Sequence, residues 1–181
     1  MPDIDYLRKL CSRHPQMRLG FVVYRLTYEN DYKWARFMDH LNTRTRLNLE
    51  KNGAGDLFPR IDWSVQEDPA LEDADYDEVR KRFNRWVRDQ SEDKEREPFS
   101  TRHLACVAVP MFHIDCVLKG PKPTQNDSLG YGWVALIRAE IEEDGEGCTQ
   151  VGVSFLVPRA FSVLEIGWHA VDVGTQDVYA G

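Results

Sequence analysis

Leu19–Tyr28, which reads LGFVVYRLTY, is the most informative segment of this 181-residue chain for its fold. Its alternate residues from Leu19 to Val23 are apolar, and so are the intervening ones from Val22 to Tyr28. A strand that is apolar on both faces is usually an interior strand with other layers packed on each side. The sequence therefore predicts a buried strand here, inside a sheet that is covered twice.

Two amphipathic helices are predicted to cover this sheet. The first starts at Asn30-Asp31, buries residues at three- and four-residue spacing, and stops before Gly53. The second runs from Asp75 to Gln90, with Asp75 and Glu78 forming a capping-box-like start. Both patterns indicate helices with one apolar and one charged face.

The remaining elements are predicted to be short. Alternating or continuous apolar runs indicate strands at 61–65, 104–111, 131–141 and 151–155, with a hairpin turn at 142–147 between the last two. Single helical turns are expected at 113–118 and 159–164, and a loop-like tail follows. The polar runs 91–98 and 119–130 are expected to be surface loops.

This order of elements predicts a single α+β domain over residues 1–181, with residues 1–17 as an N-terminal segment. We expect a two-layer sandwich, with a mixed or antiparallel sheet of about 4–5 strands and two main helices. A ferredoxin-like or related topology fits this order.

The second face of the sheet needs a cover that the two helices do not supply. The candidates are the C-terminal segment, an N-terminal helix containing Tyr6, Leu7 and Leu10, a second copy of the protein, or a small-molecule ligand. A homodimer through one sheet face is therefore one expectation.

Composition narrows the class of protein. A net charge of −7 argues against nucleic acid as a partner, because phosphate binding depends on clustered Lys and Arg. No segment has the ~20 apolar residues of a membrane span, and the N-terminus does not read as a signal peptide. The four cysteines show no CxxC spacing and are expected to be reduced thiols. We expect a cytoplasmic protein without cofactor or bound metal.

Charged residues in apolar strands are the main candidates for ligand binding. Arg25 and Arg138 each interrupt an apolar strand face, and Glu140 lies two residues beyond the second. A buried arginine needs a partner, which is either a protein carboxylate or a carboxylate or phosphate of a ligand. The tryptophans, including Trp168, are expected to be core residues, although they could line a pocket.

The sequence favours a non-catalytic binding or interaction module. The alternative is a small enzyme with metal-assisted or acid–base chemistry at His103, His113 and Asp115. Their spacing matches no closed zinc module, and no phosphate loop, GxSxG or HExxH motif is present. Glu67 and Asp68 are a second candidate pair of carboxylates. A third possibility is that the basic helix face with Arg80, Lys81, Arg85 and Arg88 docks on an acidic partner.

Several sequence blocks occur together in one order: GFVVYR, EDPAL, DEVR, RF, WV, GYGWVALI and LVPR. In this respect the chain resembles a group of uncharacterised filamentous-fungal hypothetical proteins. The resemblance covers Leu19 to the tail, is most specific over Trp63–Val87, and implies one fold and a fungal cytosolic origin. It implies no activity. The chain departs from the group at RHLACVAVPMFHIDC, where the group has a more acidic and Tyr-rich strand.

Overall fold

The structure is a computed structural model that describes residues 2–91, 99–141 and 147–181. Its helices and strands, in chain order, are α1 Pro2–Arg13, β1 Val22–Arg25, α2 Asp31–Lys51, β2 Ser64–Gln66, α3 Tyr76–Ser91, β3 Ala105–Val109, α4 Met111–Lys119, β4 Trp133–Arg138, β5 Cys148–Gly152, α5 Phe161–Val163 and β6 Val178–Tyr179. Short 3-10 turns connect several of them.

The strands of the described residues form one mixed sheet in the order β2-β1-β3-β4-β5-β6. Strand β1 pairs in parallel with both β2 and β3. Strand β4 pairs antiparallel with β3 on one side and with β5 on the other, and β6 pairs in parallel with β5. Parallel neighbours need a crossover connection. Helix α2 lies in the connection from β1 to β2, and the chain from β1 to β3 passes through α2, β2 and α3. The interior position predicted for the Leu19–Tyr28 stretch is confirmed.

The two faces of the sheet are covered by different helices. Val23, Val107 and Leu136 belong to a core cluster with residues of α1, α2, α4 and α5, and we call this side the α2 face. Val22 and Ile137 belong to a second cluster with Val79 and Phe83 of α3, and we call this side the α3 face. Successive strand residues alternate between these clusters, which explains why β1 is apolar on both faces from Val22 to Tyr24.

The fold class is confirmed as α+β, while its details differ from expectation. The sheet has six strands among the described residues instead of about 4–5, and helices cover both faces, so there are three layers instead of two. The ferredoxin-like topology is not confirmed, because β1 lies between two parallel neighbours. The N-terminal helix and the segment around Phe161 supply the missing cover.

Helix starts follow the capping residues that the sequence indicates. The Asn30 side chain accepts a hydrogen bond from the Lys33 amide at 2.9 Å, and the Asp75 side chain accepts one from the Glu78 amide at 2.8 Å. Each cap stabilises its helix by about 1 kcal/mol. The loop expected at 119–130 is confirmed after α4 ends, whereas most of the expected loop 91–98 and hairpin turn 142–147 lies outside the described residues.

Candidate functional site

Arg25 is at the carboxyl end of β1, where its side chain links the residues after β1, the start of α2 and the residue after β2. Its Nε donates to the Thr27 carbonyl at 2.7 Å, and its two terminal nitrogens bind the carboxylates of Asp31 and Glu67. The guanidinium also lies over the rings of Tyr28 and Trp34, 4.5 and 5.1 Å from their centroids. Burial lowers the pKa of Arg25, but its bonds to Asp31 and Glu67 outweigh burial, so the pKa lies above the ordinary value.

Arg25 and Arg138, the two arginines proposed as ligand-binding residues, lie at opposite ends of the sheet strands. Both residues belong to the α2 face by strand alternation, but Arg25 pairs with Val109 at one end of β3 and Arg138 pairs with Ala105 at the other. Val109 and Ala105 are four residue steps apart along β3, which is a distance of roughly 13 Å. Helices of the same chain also cover the sheet face between them, so Arg25 is a structural residue.

His103, His113 and Asp115 do not come together either. His103 precedes β3 and His113 follows it, and the five residues of that strand span roughly 16 Å. The His113 ring is buried with Nδ1 3.2 Å from the Ala108 carbonyl oxygen. Asp115 is held by Lys33, whose Nζ lies 2.7 Å away, and this bond lowers the pKa of the carboxyl group. The structure therefore does not bring His103, His113 and Asp115 into one site.

The other charged candidates also have structural partners. Glu67 binds Arg25, and Asp68 binds Arg82 at 3.0 Å, so these carboxylates are not a free pair. Among the residues that the structure describes, no group of three or more His, Cys, Asp or Glu side chains is placed to hold a metal ion. Arg80 of the supposed exposed basic face is buried. Within the described ranges, no helix is long and apolar enough to cross a bilayer.

Three of the candidate residues from the sequence, His103, Arg138 and Glu140, line one cleft, which we call the end cleft. It has a volume of about 390 Å³ and opens where β3 begins and β4 ends, between α3 and the segment that follows α5. Its lining residues are Asn84, Val87, Phe99, His103, Leu104, Arg138, Ala139, Glu140, Leu164, Glu165, Gly167 and Trp168. The end cleft therefore combines apolar walls with charges of both signs.

His103 is fixed within the end cleft by backbone and aromatic contacts. Its Nδ1 accepts a hydrogen bond from the Ser100 amide at 3.1 Å, which assigns the proton of the neutral ring to Nε2. The ring stacks against Phe99 and Trp86, with centroid distances of 5.2 and 5.7 Å. These contacts come from the turn before β3 and from α3, so two layers of the fold orient the imidazole.

Hydrogen bonds from two side chains of α3 hold the backbone of the charged rim in place. The Arg80 guanidinium donates to the Arg138 carbonyl at 2.9 Å and to the Gly147 carbonyl at 3.2 Å, so it ties β4 to the start of β5. Asn84 donates to the Ala139 carbonyl at 2.9 Å. These bonds fix the backbone that carries Arg138 and Glu140.

The sequence indicated Trp168 as a possible pocket residue, but not Leu164 and Glu165, which form the same wall of the end cleft. These residues were placed in a short helix and a loop-like tail, yet the tail packs across the amino end of β3. The amphipathic indole of Trp168 was the available signal, because buried tryptophans often line pockets as well as cores. Glu165 also interacts with Tyr6 of α1, whose pKa is raised first by burial and further by this carboxylate.

The end cleft can hold a small molecule by apolar contact and charge pairing. Aromatic and aliphatic walls exclude water from the ligand body, while one arginine and two carboxylates orient polar groups. The Ser100 hydroxyl lies 3.4 Å from His103 Nδ1, but Ser100 is not among the lining residues of the end cleft. Comparison with known protein families, curated protein sequences and solved structures finds no match to this chain, so the resemblance to fungal proteins stays a prediction.

Proposed function

We propose that the protein is a non-catalytic binding module that takes a small aromatic zwitterion in the end cleft. The observation that supports this proposal is the convergence of Arg138, Glu140 and His103, selected from the sequence, on one apolar-walled cleft. A volume of about 390 Å³ is within the range of small-molecule sites.

The ligand class follows from what lines the cleft. The rings of Phe99 and Trp168 suit a flat apolar body. Arg138 suits a carboxylate, whereas Glu140 and Glu165 suit an ammonium group. A ligand that carries both charges offers a partner to each sign, so no charge is desolvated without compensation.

The test is ligand-observed NMR with tryptophan, and with indole-3-acetate and tryptamine as analogues that each keep one charge. Tryptophan is expected to bind most tightly. Arg138→Gln should weaken tryptophan and indole-3-acetate by about tenfold and leave tryptamine nearly unchanged, because only the carboxylate contact is lost. Trp168→Ala should weaken all three compounds.

Arg46→Gln is the matched control, because Arg46 is exposed on α2 and does not line the end cleft. It should bind all three compounds as the wild type does. Absence of binding for all three compounds at millimolar concentration would refute the proposed ligand class. An equal loss of tryptamine and indole-3-acetate in Arg138→Gln would refute the role given to that arginine.

Homodimerisation is a separate proposal, and it would need a surface other than the sheet faces. Phe112, Leu129 and Tyr131 are more than half exposed, and the Phe112 ring contacts Trp133 at 5.6 Å. Exposed apolar side chains of this kind favour association with a second copy. Native mass spectrometry should show a dimer that Phe112→Ser dissociates, and a wild-type monomer at micromolar concentration would exclude it.

A further inference from the structure

A second and larger cavity lies away from the end cleft. It has a volume of about 820 Å³ and is bounded by the second half of α2, the start of α1, the loop 123–127 and the turn 154–159. It has no lining residue in common with the end cleft. The proposed function does not use this cavity.

Arg44 is the feature that indicates a ligand. The residue is 4% exposed and lines the cavity. Its guanidinium donates to the backbone carbonyls of Pro121, Lys122 and Gln125. These bonds use three of the five N–H groups of an arginine. Nε has no hydrogen-bond partner among the described residues.

Carbonyl oxygens do not neutralise this buried cation. Asp127 is the carboxylate that acts on it, but its two oxygens already accept the amides of Tyr131 and Gly132, at 2.9 and 3.2 Å. Burial lowers the pKa of Arg44, and Asp127 offsets this only in part. A buried charge without an ion-pair partner is costly, so an anion in the cavity would stabilise the site.

Other polar and basic side chains on the cavity wall also favour an anionic ligand. Asn48, Lys51 and Asn52 follow Arg44 at helical spacing and line the cavity with it. Arg159 adds a further cation at the wall, where it is paired with Asp3 at 3.2 Å. The lining therefore has three basic and two acidic side chains in a chain of net charge −7. This local excess of positive charge attracts anions.

The rest of the lining is suited to hydroxyl groups. Asn48 donates to the Ser154 carbonyl at 2.6 Å, and the Ser154 hydroxyl is buried without a partner among the described residues. The side chains of Thr124 and Asn126 are exposed on the loop. Amide and hydroxyl groups of this kind exchange hydrogen bonds with a polyol.

We propose that the cavity is a binding site for a small phosphorylated polyol, with the phosphate on Arg44 and Lys51. The buried Arg44 guanidinium supplies positive charge at the cavity wall, and the exposed Lys51 adds a point charge that can contact the phosphate oxygens directly. The amide and hydroxyl groups of the wall bind the sugar-like part. A volume of about 820 Å³ accommodates such a ligand together with bridging water.

The test is isothermal titration calorimetry with glucose 6-phosphate, glucose and inorganic phosphate. Glucose 6-phosphate is expected to bind saturably and more tightly than either part alone. Lys51→Gln should weaken it about two- to fivefold, and Arg44→Gln about tenfold or more. Arg46→Gln, on the same helix but exposed, should bind like the wild type.

Each contrary result has a defined meaning. No saturable binding of glucose 6-phosphate at about 10 mM overturns the site, because that limit corresponds to only about 3 kcal/mol. Glucose binding as tightly as its phosphate overturns the role of the cations, and an equal loss in Arg46→Gln overturns the assignment to this cavity. Should Arg44→Gln fail to fold, Lys51→Gln and Arg159→Gln carry the same test, because both parent side chains are at least partly exposed.

Discussion

Lowering the pH from 7.5 to 5 is expected to destabilise the protein through His113. This imidazole on α4 is 3% exposed and lies 4.6 Å from the Trp133 ring. Burial lowers its pKa to about 4, although its hydrogen bond to the Ala108 carbonyl acts in the opposite direction. In the unfolded chain a histidine titrates near 6.5. The native state therefore binds fewer protons than the unfolded state between these two values.

The sign and size of the effect follow from proton linkage. Because the unfolded state takes up the proton first, the free energy of unfolding falls as the pH drops from about 6.5 towards 4. A single such histidine lowers it by about 2 kcal/mol between pH 7.5 and pH 5. His40, whose pKa burial and Arg44 also lower to about 4, adds a similar amount. We therefore expect a loss of about 4 kcal/mol in the wild type.

The variant His113→Asn separates this contribution from the others. An asparagine amide can still donate to the Ala108 carbonyl, as Nδ1–H does in the native protein, but it does not take up a proton. The variant should lose only about 2 kcal/mol over the same pH range. The measurement is urea denaturation at constant ionic strength, followed by tryptophan fluorescence at pH 7.5, 6.5, 5.5 and 5.0.

His169→Asn serves as the control, because His169 is exposed and its replacement should leave the wild-type pH dependence intact. Carboxylates such as Asp115, whose pKa is lowered first by the bond to Lys33, affect stability mainly below pH 5 and so outside this range. Parallel pH curves for His113→Asn and the wild type would refute the reasoning.

Three further predictions concern the core and the turns. Arg25→Met should lower the free energy of unfolding by about 2–4 kcal/mol, because the hydrogen bonds and ion pairs of this buried guanidinium are lost. Arg36→Met, on the exposed face of α2, should change it by less than about 0.5 kcal/mol in the same denaturation assay. Cys106 is fully buried, and burial raises the pKa of its thiol. Mass spectrometry should therefore find Cys106 unlabelled by iodoacetamide in the native protein and labelled in urea. Rapid labelling of the native protein would contradict this burial. Gly130→Ala should lower the thermal unfolding temperature more than Gly53→Ala does. Both glycines have φ of +67°, but only at Gly130 would the new Cβ lie 2.9 Å from a β6 side chain. Equal decreases in unfolding temperature would show that the backbone angle alone matters.

Much of the secondary structure can be predicted from local pattern alone. The caps Asn30 and Asp75 mark the starts of α2 and α3, because a side-chain oxygen satisfies a free amide wherever the helix happens to pack. The lack of a polar face in β1 likewise predicts an interior strand. Each of these features depends on residues within one helical turn or one strand.

The end cleft was predicted only in part. Arg138, Glu140 and His103 were selected because charged or titratable residues beside apolar strands need partners. Trp168 was recognised as a possible pocket residue, but its neighbours in the C-terminal segment were not. The contact between that segment and the start of β3 joins positions about 60 residues apart, and no local pattern records it.

The sequence by itself determined the α+β class, the interior strand, the helix starts and several charged candidates, because these depend on periodicity and short-range hydrogen bonds. Tertiary structure alone decided the strand order, the separation of Arg25 from Arg138 and the wide gap between His103 and His113. It also decided that Arg44, one polar position on a helix, is buried beside a cavity. Strand register and helix packing fix these distances through long-range contacts, and many sequences with the same local patterns could pack differently.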